Sequence, residues 1–378
     1  MIYADNSATT KICREALQEY LRVSQKHFGN TSSNHIAGFS AKSELQKARE
    51  KISNIIGGDA NDIYFTSCGS ESNNIMVRTI ASEGERLNKK HLIVSAVEHK
   101  SVLNAVRDLD SSWEVTYIHP NKLTGIDMVD VEKNIKDNTV AICIMIANNE
   151  VGTIYPYNEI GSLCRKHNLI FGTDAVQAVG HIGINVLESN INIMTFSAHK
   201  FYGPKGIAGI YIKHGIAPSP VIVGGFQENG VSAGTVDVPS VCAMAKALEV
   251  SKNDSKTLTA LRELLINAML KIDGVELTGG YKRLPGHASF IVNGINGEYL
   301  ATLLSNDGIC ISSVSACYSG GTTGSYVLKA LGYSSQQSSE SIRISLGRNS
   351  SINDVTTITE NINKHILNFK TINKTEVS

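Results

Sequence analysis

Short apolar runs alternate with helical periodicity through the first two thirds of the chain. Strands are predicted for the apolar runs, which cover residues 62–67, 91–96, 114–119, 140–147, 169–174, 191–197 and 207–212. Between several of these runs the apolar residues recur at a period of 3.6, which predicts helices, for example over 14–25, 40–56 and 159–167. Continuous apolar strands separated by helices are typical of a largely parallel sheet covered on both faces. The pattern therefore predicts an α/β domain with a mainly parallel seven-stranded sheet.

The pattern changes near residue 253. From there, shorter strands are predicted near 275–278, 287–293, 309–313 and 341–346. Helices are predicted between and after them, over 256–272, 297–306, 324–331 and 352–369. This alternation predicts a second, smaller α+β domain.

Composition and charge exclude several classes of protein. The chain has 378 residues, of which 42% are hydrophobic, and its 35 basic and 35 acidic residues balance. A balanced charge argues against a dedicated nucleic-acid binder, and no apolar run reaches membrane-spanning length. The first residues show no signal peptide, and the seven cysteines show no metal-binding spacing. We therefore expect a cytoplasmic protein with free thiols, without a metal site and without a membrane segment.

Two strand ends carry the chemistry that stands out most. Lys200 follows the apolar run 191–197, where desolvation lowers the pKa of an amine and favours its reaction with an aldehyde. Asp174 ends another apolar run, and in a parallel sheet both side chains reach the same crevice. A lysine that binds an aldehyde and an acid that keeps a pyridine nitrogen protonated together suit pyridoxal 5'-phosphate. A lone lysine just past a strand is more often a surface residue. The presence of Asp174 at a second strand end favours the cofactor-binding interpretation instead.

Further polar residues lie at or just after the ends of the predicted strands. They are His99, Asn149, Gln177, Ser197, His199 and the small-residue segment with Gly69 and Ser70. An imidazole could stack on the cofactor ring and move protons, while the two amides could contact the ring oxygen. Ser197, His199 and the free N–H groups of a helix beginning near Gly69 could hold the phosphate. Each residue alone has an ordinary structural explanation, whereas their common position argues for one site.

The second domain contributes two more candidates. Cys317 lies in a long, small-residue loop, where a thiol is expected to be exposed and able to move. Arg343 lies within an apolar strand, and a buried arginine requires an anion. That anion is either a structural carboxylate or the carboxylate of an amino-acid substrate, and the sequence favours neither.

Taken together, these motifs resemble the cysteine desulfurases, a group of class V aminotransferases that supplies sulfur for iron–sulfur cluster assembly. The motifs follow the family's order over nearly the whole chain. They are YADNSATT at 3–10, TSCGSESNN at 66–74, EHK at 98–100, NNEVG at 148–152, TDAVQ at 173–177, SAHKFYGPKG at 197–206, SAC at 315–317 and RISLG at 343–347.

The resemblance implies a pyridoxal phosphate-dependent transferase of fold type I that works as a homodimer. It implies a large cofactor-binding domain over 13–252, and a small domain formed by 1–12 and 253–378 that carries the catalytic cysteine loop.

The resemblance also assigns a role to each candidate residue. Lys200 becomes the Schiff-base lysine, Asp174 the partner of the pyridine nitrogen and His99 the residue stacked on the ring. Asn149 and Gln177 contact the ring oxygen, and Gly69, Ser70, Ser197 and His199 bind phosphate. Thr235 joins them from the partner subunit. Arg343, with Asn149, binds the carboxylate of L-cysteine. Cys317 takes the substrate sulfur as a persulfide, leaves L-alanine behind and passes the sulfur to an acceptor protein.

The chain differs from the family where two arginines are usual, at Asn229 and Ser232. Three alternatives therefore stay open. The protein could be a related lyase that releases free sulfide or selenide, or a specialised donor with an altered substrate or acceptor. It could also be a paralogue that binds a partner and has lost catalysis, although retention of Lys200, Asp174, His99 and Cys317 argues against this. The acceptor itself is open: an iron–sulfur scaffold, transfer RNA thiolation, DNA sulfur modification or a biosynthetic pathway.

Overall fold

The fold is known from a computed structural model, which describes residues 1–251, 254–313 and 324–375, with side chains up to Thr371. None of the helices in this described part combines the length and the apolar composition that a membrane crossing requires.

A seven-stranded sheet forms the centre of the molecule, as the sequence predicts. Its strands are β2 (Ile63–Thr66), β3 (His91–Ser95), β4 (Glu114–Ile118), β5 (Thr139–Cys143), β6 (Ile170–Asp174), β7 (Ile193–Ser197) and β8 (Ala208–Ile212). Their order across the sheet is β2-β8-β7-β6-β5-β3-β4, and only β8 runs antiparallel to its neighbours. Strands β3, β5, β7 and β8 are buried along their whole length, which explains their unbroken apolar sequence.

Helices cover both faces of this sheet. They are α1 (Arg14–Lys26), α2 (Ile36–Ile56), α3 (Gly69–Leu87), α4 (Lys100–Arg107), α5 (Met128–Lys133), α6 (Tyr157–Lys166) and α7 (Val238–Ser251). Helix α2 begins four residues earlier than predicted, because the His35 side chain accepts a hydrogen bond from the backbone of Gly38 and caps the helix. It ends at Gly57, whose φ of 72° favours glycine. Two apolar cores, one on each face, hold these helices in place.

A third apolar core lies outside the large sheet. It joins Ala4 to residues between 258 and 366. Around it lie a pair of short parallel strands and a four-stranded antiparallel sheet of order β12-β13-β10-β9. The strands are β1 (Ile2–Tyr3), β9 (Val275–Leu277), β10 (His287–Val292), β11 (Ile309–Cys310), β12 (Ser312–Ser313) and β13 (Ser341–Ser345). The helices are α8 (Ser255–Met269), α9 (Gly297–Asn306), α10 (Tyr326–Ala330), α11 (Ser335–Ser339) and α12 (Ile352–Thr375).

The strand predicted over 309–313 is two strands in the structure. Ile309–Cys310 pairs with β1, and Ser312–Ser313 pairs with β13. The chain changes partner between them, which an apolar pattern does not reveal. The division of the chain at 12/13 and 252/253 stays a prediction.

Candidate active site

The candidate residues of the large sheet lie at one edge, where the parallel strands end. Asp174 is the last residue of β6, and Ser197 is the last residue of β7. A single turn of 3-10 helix, Ala198–Lys200, follows β7 at once, and His99 precedes α4 as its cap. Because β3, β6 and β7 run parallel, their carboxyl ends open onto the same crevice.

Lys200 and Gln177 meet at one backbone carbonyl. The Lys200 Nζ donates to the carbonyl oxygens of Ser7 and Ala8 over 2.7 and 2.8 Å. The Gln177 Nε2 donates to the same Ser7 oxygen over 2.9 Å. The N-terminal segment therefore holds the amine of one strand end and the amide of another within about one hydrogen-bond length of a common point.

Asp174 is buried, and both of its oxygens are held. Its Oδ2 accepts from Asn73 Nδ2 over 2.7 Å, and its Oδ1 accepts from the Val176 backbone over 2.9 Å. Asn73 lies on α3, which packs across β7. A carboxylate fixed in this way presents its charge to the crevice in one orientation.

The His99 side chain caps the start of α4, and it is partly covered by protein and partly exposed. The loss of hydration there lowers the pKa of His99, and the charge of Asp174 opposes the shift. The nearby cations Lys200 and Lys100 lower the pKa further. The lowered pKa favours the neutral form of the imidazole.

The beginning of α3 has the features of an anion site. Its cap residue, Cys68, makes no capping hydrogen bond through its side chain, so the N–H groups of the first turn have no side-chain acceptor there. A Cβ placed on Gly69 would lie 3.2 Å from the Val176 side chain and 3.6 Å from the Ser197 Cβ, so the helix approaches the ends of β6 and β7 closely. Ser70, in the same turn, is exposed.

His199 lies in the 3-10 turn that follows Ser197. Its Nδ1 lies 3.1 Å from the Thr9 hydroxyl. Burial, with help from the charges of Lys200 and Lys205, lowers the pKa of His199 to about 4. The imidazole is therefore neutral and serves as a hydrogen-bonding group at physiological pH.

The sequence left open whether Arg343, on β13, binds a structural carboxylate or the carboxylate of a substrate. Its contacts support both alternatives in part. One guanidinium nitrogen donates to Asp5 Oδ1 over 2.8 Å, and another donates to the Asn149 carbonyl over 2.8 Å. A structural carboxylate is therefore present. Arg343 Nε and Asn149 Oδ1 are nevertheless buried without a hydrogen-bond partner among the described residues. An unpaired donor and an unpaired acceptor at neighbouring residues are what a bound α-amino acid would satisfy.

The loop that lacks the two arginines contacts the first turn of α3 by other means. The Ser232 hydroxyl donates to Glu71 Oε1 over 2.8 Å, while Ser67 donates to Glu71 Oε2 through its N–H and its hydroxyl over 2.7 and 2.6 Å. Asn229 has a φ of 54° in a tight turn of the same loop. Ser232 thus binds Glu71 as a neutral partner where an arginine would bring a charge.

Two predicted site residues are not brought to the crevice by the described structure. Thr235 lies in the exposed loop before α7 and makes no hydrogen bond to the other candidates within the described residues. Cys317 lies outside the described residues. The described chain resumes at Gly324, and Ser325 caps α10 while donating to the buried carboxylate of Glu150, beside Asn149. Burial raises the pKa of Glu150 to about 7.

A second buried acid, Glu98, precedes His99. Its Oε1 accepts from the Ser95 hydroxyl over 2.5 Å and from the Met145 N–H over 2.8 Å. Burial raises the pKa of Glu98 to about 8, although these hydrogen bonds oppose the shift and Asp174 adds to it. The unfolded chain releases this proton near pH 4.3 and the folded chain near pH 8. Glu98 therefore makes stability fall as pH rises through this window.

The substitution Glu98→Gln is expected to remove that part of the pH dependence, because an amide keeps an acceptor oxygen and cannot ionise. Melting temperatures measured between pH 5 and pH 8.5 should show the variant gaining on the parent protein as pH rises. Glu159→Gln, on the exposed side of α6, is the matched control and should follow the parent curve. Parallel curves for Glu98→Gln and the parent would contradict the ionisation of Glu98.

Sequence reasoning missed the residues that tie the site together. Asp5 and Ser7 act on residues far along the chain, Ser7 through a backbone carbonyl that has no sequence signature. Asn73 lies on α3 and Ser101 lies on α4. Asn73 donates hydrogen bonds to Asp174, at the end of β6, and to Ser101. The only signal for them was their place within or beside the quoted motifs.

Comparison with known proteins places this site in a family. The family model for class-V aminotransferases matches residues 2–358. A cysteine desulfurase IscS of Methanosarcina thermophila is 38% identical over 365 residues, which cover 95% of this chain and 90% of the relative.

Two solved structures extend the comparison. One described as a NifS-like protein has a TM-score of 0.90 at 32% identity, covering 97% of this chain and 99% of its own. One described as SspA in complex with cysteine has a TM-score of 0.81 at 32% identity, covering 92% of this chain and 99% of its own. The chain therefore belongs to the class-V aminotransferases, within the pyridoxal phosphate-dependent group of the cysteine desulfurases.

Proposed function

We propose that the protein is a cysteine desulfurase that converts L-cysteine to L-alanine and passes the sulfur through a persulfide on Cys317 to an acceptor. The observation that supports this most is the convergence of Lys200, Gln177 and Asp174 at the carboxyl edge of the sheet. The similarity to cysteine desulfurases over nearly the full length adds to it, as does the similar solved structure with bound cysteine.

The residues present fit pyridoxal phosphate. The first turn of α3 at Gly69 and Ser70, without a side-chain cap, would take the phosphate together with Ser197 and His199. Asp174 would face the pyridine nitrogen, and His99 would lie against the ring. Asn149 and Gln177 would donate to the ring oxygen from their side-chain N–H groups. Lys200 would hold the cofactor through its amine.

The cofactor, when bound, supplies an electron sink for bonds at the substrate's α-carbon. The protein's own part is to bind, to orient and to move protons. The free Nε of Arg343 would bind the substrate carboxylate, with Asn149 beside it. Neutral His99 and the Lys200 amine would take and return protons at the substrate, which requires groups that are not permanently charged.

The sulfur step belongs to Cys317. Its thiolate would form an S–S bond with the substrate sulfur as the substrate's C–S bond breaks. The carbon fragment would gain a proton in place of sulfur and leave as alanine. The sulfur would stay on Cys317 as a persulfide until an acceptor thiol takes it.

The assembly and the location complete the proposal. The enzyme would be a homodimer in which Thr235 of each chain completes the phosphate site of the other, since Thr235 is exposed in the single chain. The acceptor would be a scaffold or sulfurtransferase protein. Six cysteines in the described residues are free thiols, which fits a reducing compartment, and we place the enzyme in the cytoplasm.

The substitution Cys317→Ser tests the proposal. After treatment with L-cysteine, mass spectrometry of the parent protein should show one added sulfur on the peptide that contains Cys317, and alanine should appear in the medium. The variant should lack the added sulfur, and alanine formation should fall by about two powers of ten or more because no nucleophile attacks the sulfur. Cys310→Ser, on β11, where the backbone pairs with Tyr3, is the matched control and should behave as the parent.

The outcomes separate the alternatives. Free sulfide released at the parent rate by Cys317→Ser, with pyruvate and ammonia formed in place of alanine, would favour a lyase that needs no persulfide. No turnover of any thiol amino acid by the parent protein would favour a binding protein without catalysis. The same assay with L-selenocysteine distinguishes a selenide-releasing enzyme.

A further inference from the structure

A buried asparagine on α3 connects three elements behind the crevice. Asn73 is almost fully buried, and its amide makes three hydrogen bonds. Its Nδ2 donates to Asp174 Oδ2 over 2.7 Å and to the Ser101 hydroxyl oxygen over 2.9 Å, while its Oδ1 accepts from the Thr195 hydroxyl over 2.6 Å. An ionised carboxylate can only accept, so the amide can face Asp174 in one orientation only. The side chain is therefore fixed, and its second hydrogen must point to Ser101.

The bond from Asn73 decides where the Ser101 hydroxyl hydrogen goes. Because the Ser101 oxygen accepts from Asn73, its own hydrogen is free to point to His99 Nδ1, which lies 2.7 Å away. The Ser101 backbone N–H also points to His99 Nδ1, over 3.2 Å. A backbone N–H can only donate. The backbone contact therefore requires a lone pair on Nδ1, and the Ser101 hydroxyl can donate to the same nitrogen.

A neutral imidazole with a lone pair on Nδ1 carries its hydrogen on Nε2. The two nitrogens of His99 thus have different roles, since Nδ1 is held by Ser101 and Nε2–H is left for the crevice. With the hydrogen on Nδ1 instead, the ring would lose the bond from the Ser101 N–H, and the Ser101 hydroxyl would have to turn its own hydrogen elsewhere. The charged groups near the ring are Asp174, Lys200 and Lys100.

We propose that Asn73 and Ser101 are positioning residues that fix the His99 imidazole with its hydrogen on Nε2, through a hydrogen-bonded path that begins at the Asp174 carboxylate. The path joins the acid proposed for the cofactor's ring nitrogen to the imidazole proposed to lie against the ring. The importance of the path for turnover rests on the proposed function, whereas the position of the hydrogen does not. Hydrogen bonds behind a functional group usually set its orientation and protonation.

The tautomer can be measured without cofactor or turnover. Histidine labelled with ¹⁵N, in protein stripped of cofactor, reports by NMR which ring nitrogen carries hydrogen, and the His99 signals are assigned by their loss in His99→Gln. The parent protein should show the hydrogen on Nε2. Ser101→Ala should show a mixture of the two tautomers, and Asn73→Ala should shift the ratio in the same direction. Ser101→Thr keeps the hydroxyl and should restore the parent pattern.

Kinetics of the loaded enzyme provide a second measurement. Ser101→Ala should lower kcat for alanine formation by about tenfold, the effect of one lost hydrogen bond of about 1.4 kcal/mol. KM should stay within twofold, and the limb of the pH–kcat profile that reports His99 should shift. Ser112→Ala, whose hydroxyl contacts Asp110 and Lys90 on the surface, is the matched control.

The outcomes separate this proposal from the proposed function. Hydrogen on Nδ1 in the parent protein, or an unchanged tautomer in both Ser101→Ala and Asn73→Ala, would overturn the positioning role. A shifted tautomer in a protein that does not desulfurate cysteine would uphold the positioning role while the proposed function fails.

Discussion

Lys200→Ala is expected to abolish covalent attachment of the cofactor and to lower alanine formation by about three powers of ten or more, because one amine serves both binding and proton transfer. Attachment is measured by borohydride reduction of the loaded protein, proteolysis and mass spectrometry. The peptide that contains Lys200 should carry the pyridoxyl group in the parent protein, and no peptide should carry it in the variant.

Lys213→Ala is the control for this experiment. Lys213 is exposed just beyond β8, and its loss should change neither the label nor the rate. Label on a different lysine of the parent protein would show that Lys200 is not the lysine that binds the cofactor. The Lys200→Ala variant also loses two hydrogen bonds to the N-terminal segment, so its melting temperature should be recorded alongside the rate.

Asp174→Ala is expected to lower kcat by about two to three powers of ten. Removing one partner of a buried charge pair costs about 3–5 kcal/mol, and the charge left behind would be the protonated ring nitrogen. Rates of alanine formation at saturating cofactor measure the effect, and a titration with pyridoxal phosphate separates it from weaker binding.

A matched variant tests whether the charge itself matters. Asp174→Asn keeps the shape and the oxygen that accepts from Val176, but it turns an amide toward the Asn73 amide. It should be nearly as slow as Asp174→Ala. A rate within threefold of the parent enzyme in either variant would show that this carboxylate does not support the reaction.

The sequence was a good guide to the strands and to the side chains at their ends. The apolar runs end where the strands end, so Asp174, Ser197 and Lys200 could be placed at the sheet edge from the pattern alone. The direction of β8 could not be placed in this way, because a buried strand is equally apolar in either direction.

The contacts that complete the site were beyond the sequence for a different reason. The Ser7 carbonyl contacts Lys200 across 193 positions of the chain, and a backbone oxygen is the same at every residue. Arg343 was recognised as needing an anion, yet Asp5 lies 338 positions earlier and has no pattern that links the two. Pairing over such distances follows from the fold as a whole.

The N-terminal segment has a consequence for the order in which the molecule is assembled during translation. Residues 4–8 leave the ribosome long before their partners, which include Lys200, Arg343 and Ser345. These residues must therefore wait for more than 300 further residues before all of their bonds can form. A polypeptide released before Ser345 would retain the strands of the large sheet. It would lack the Ser345 contacts that hold residues 4–8 beside the crevice.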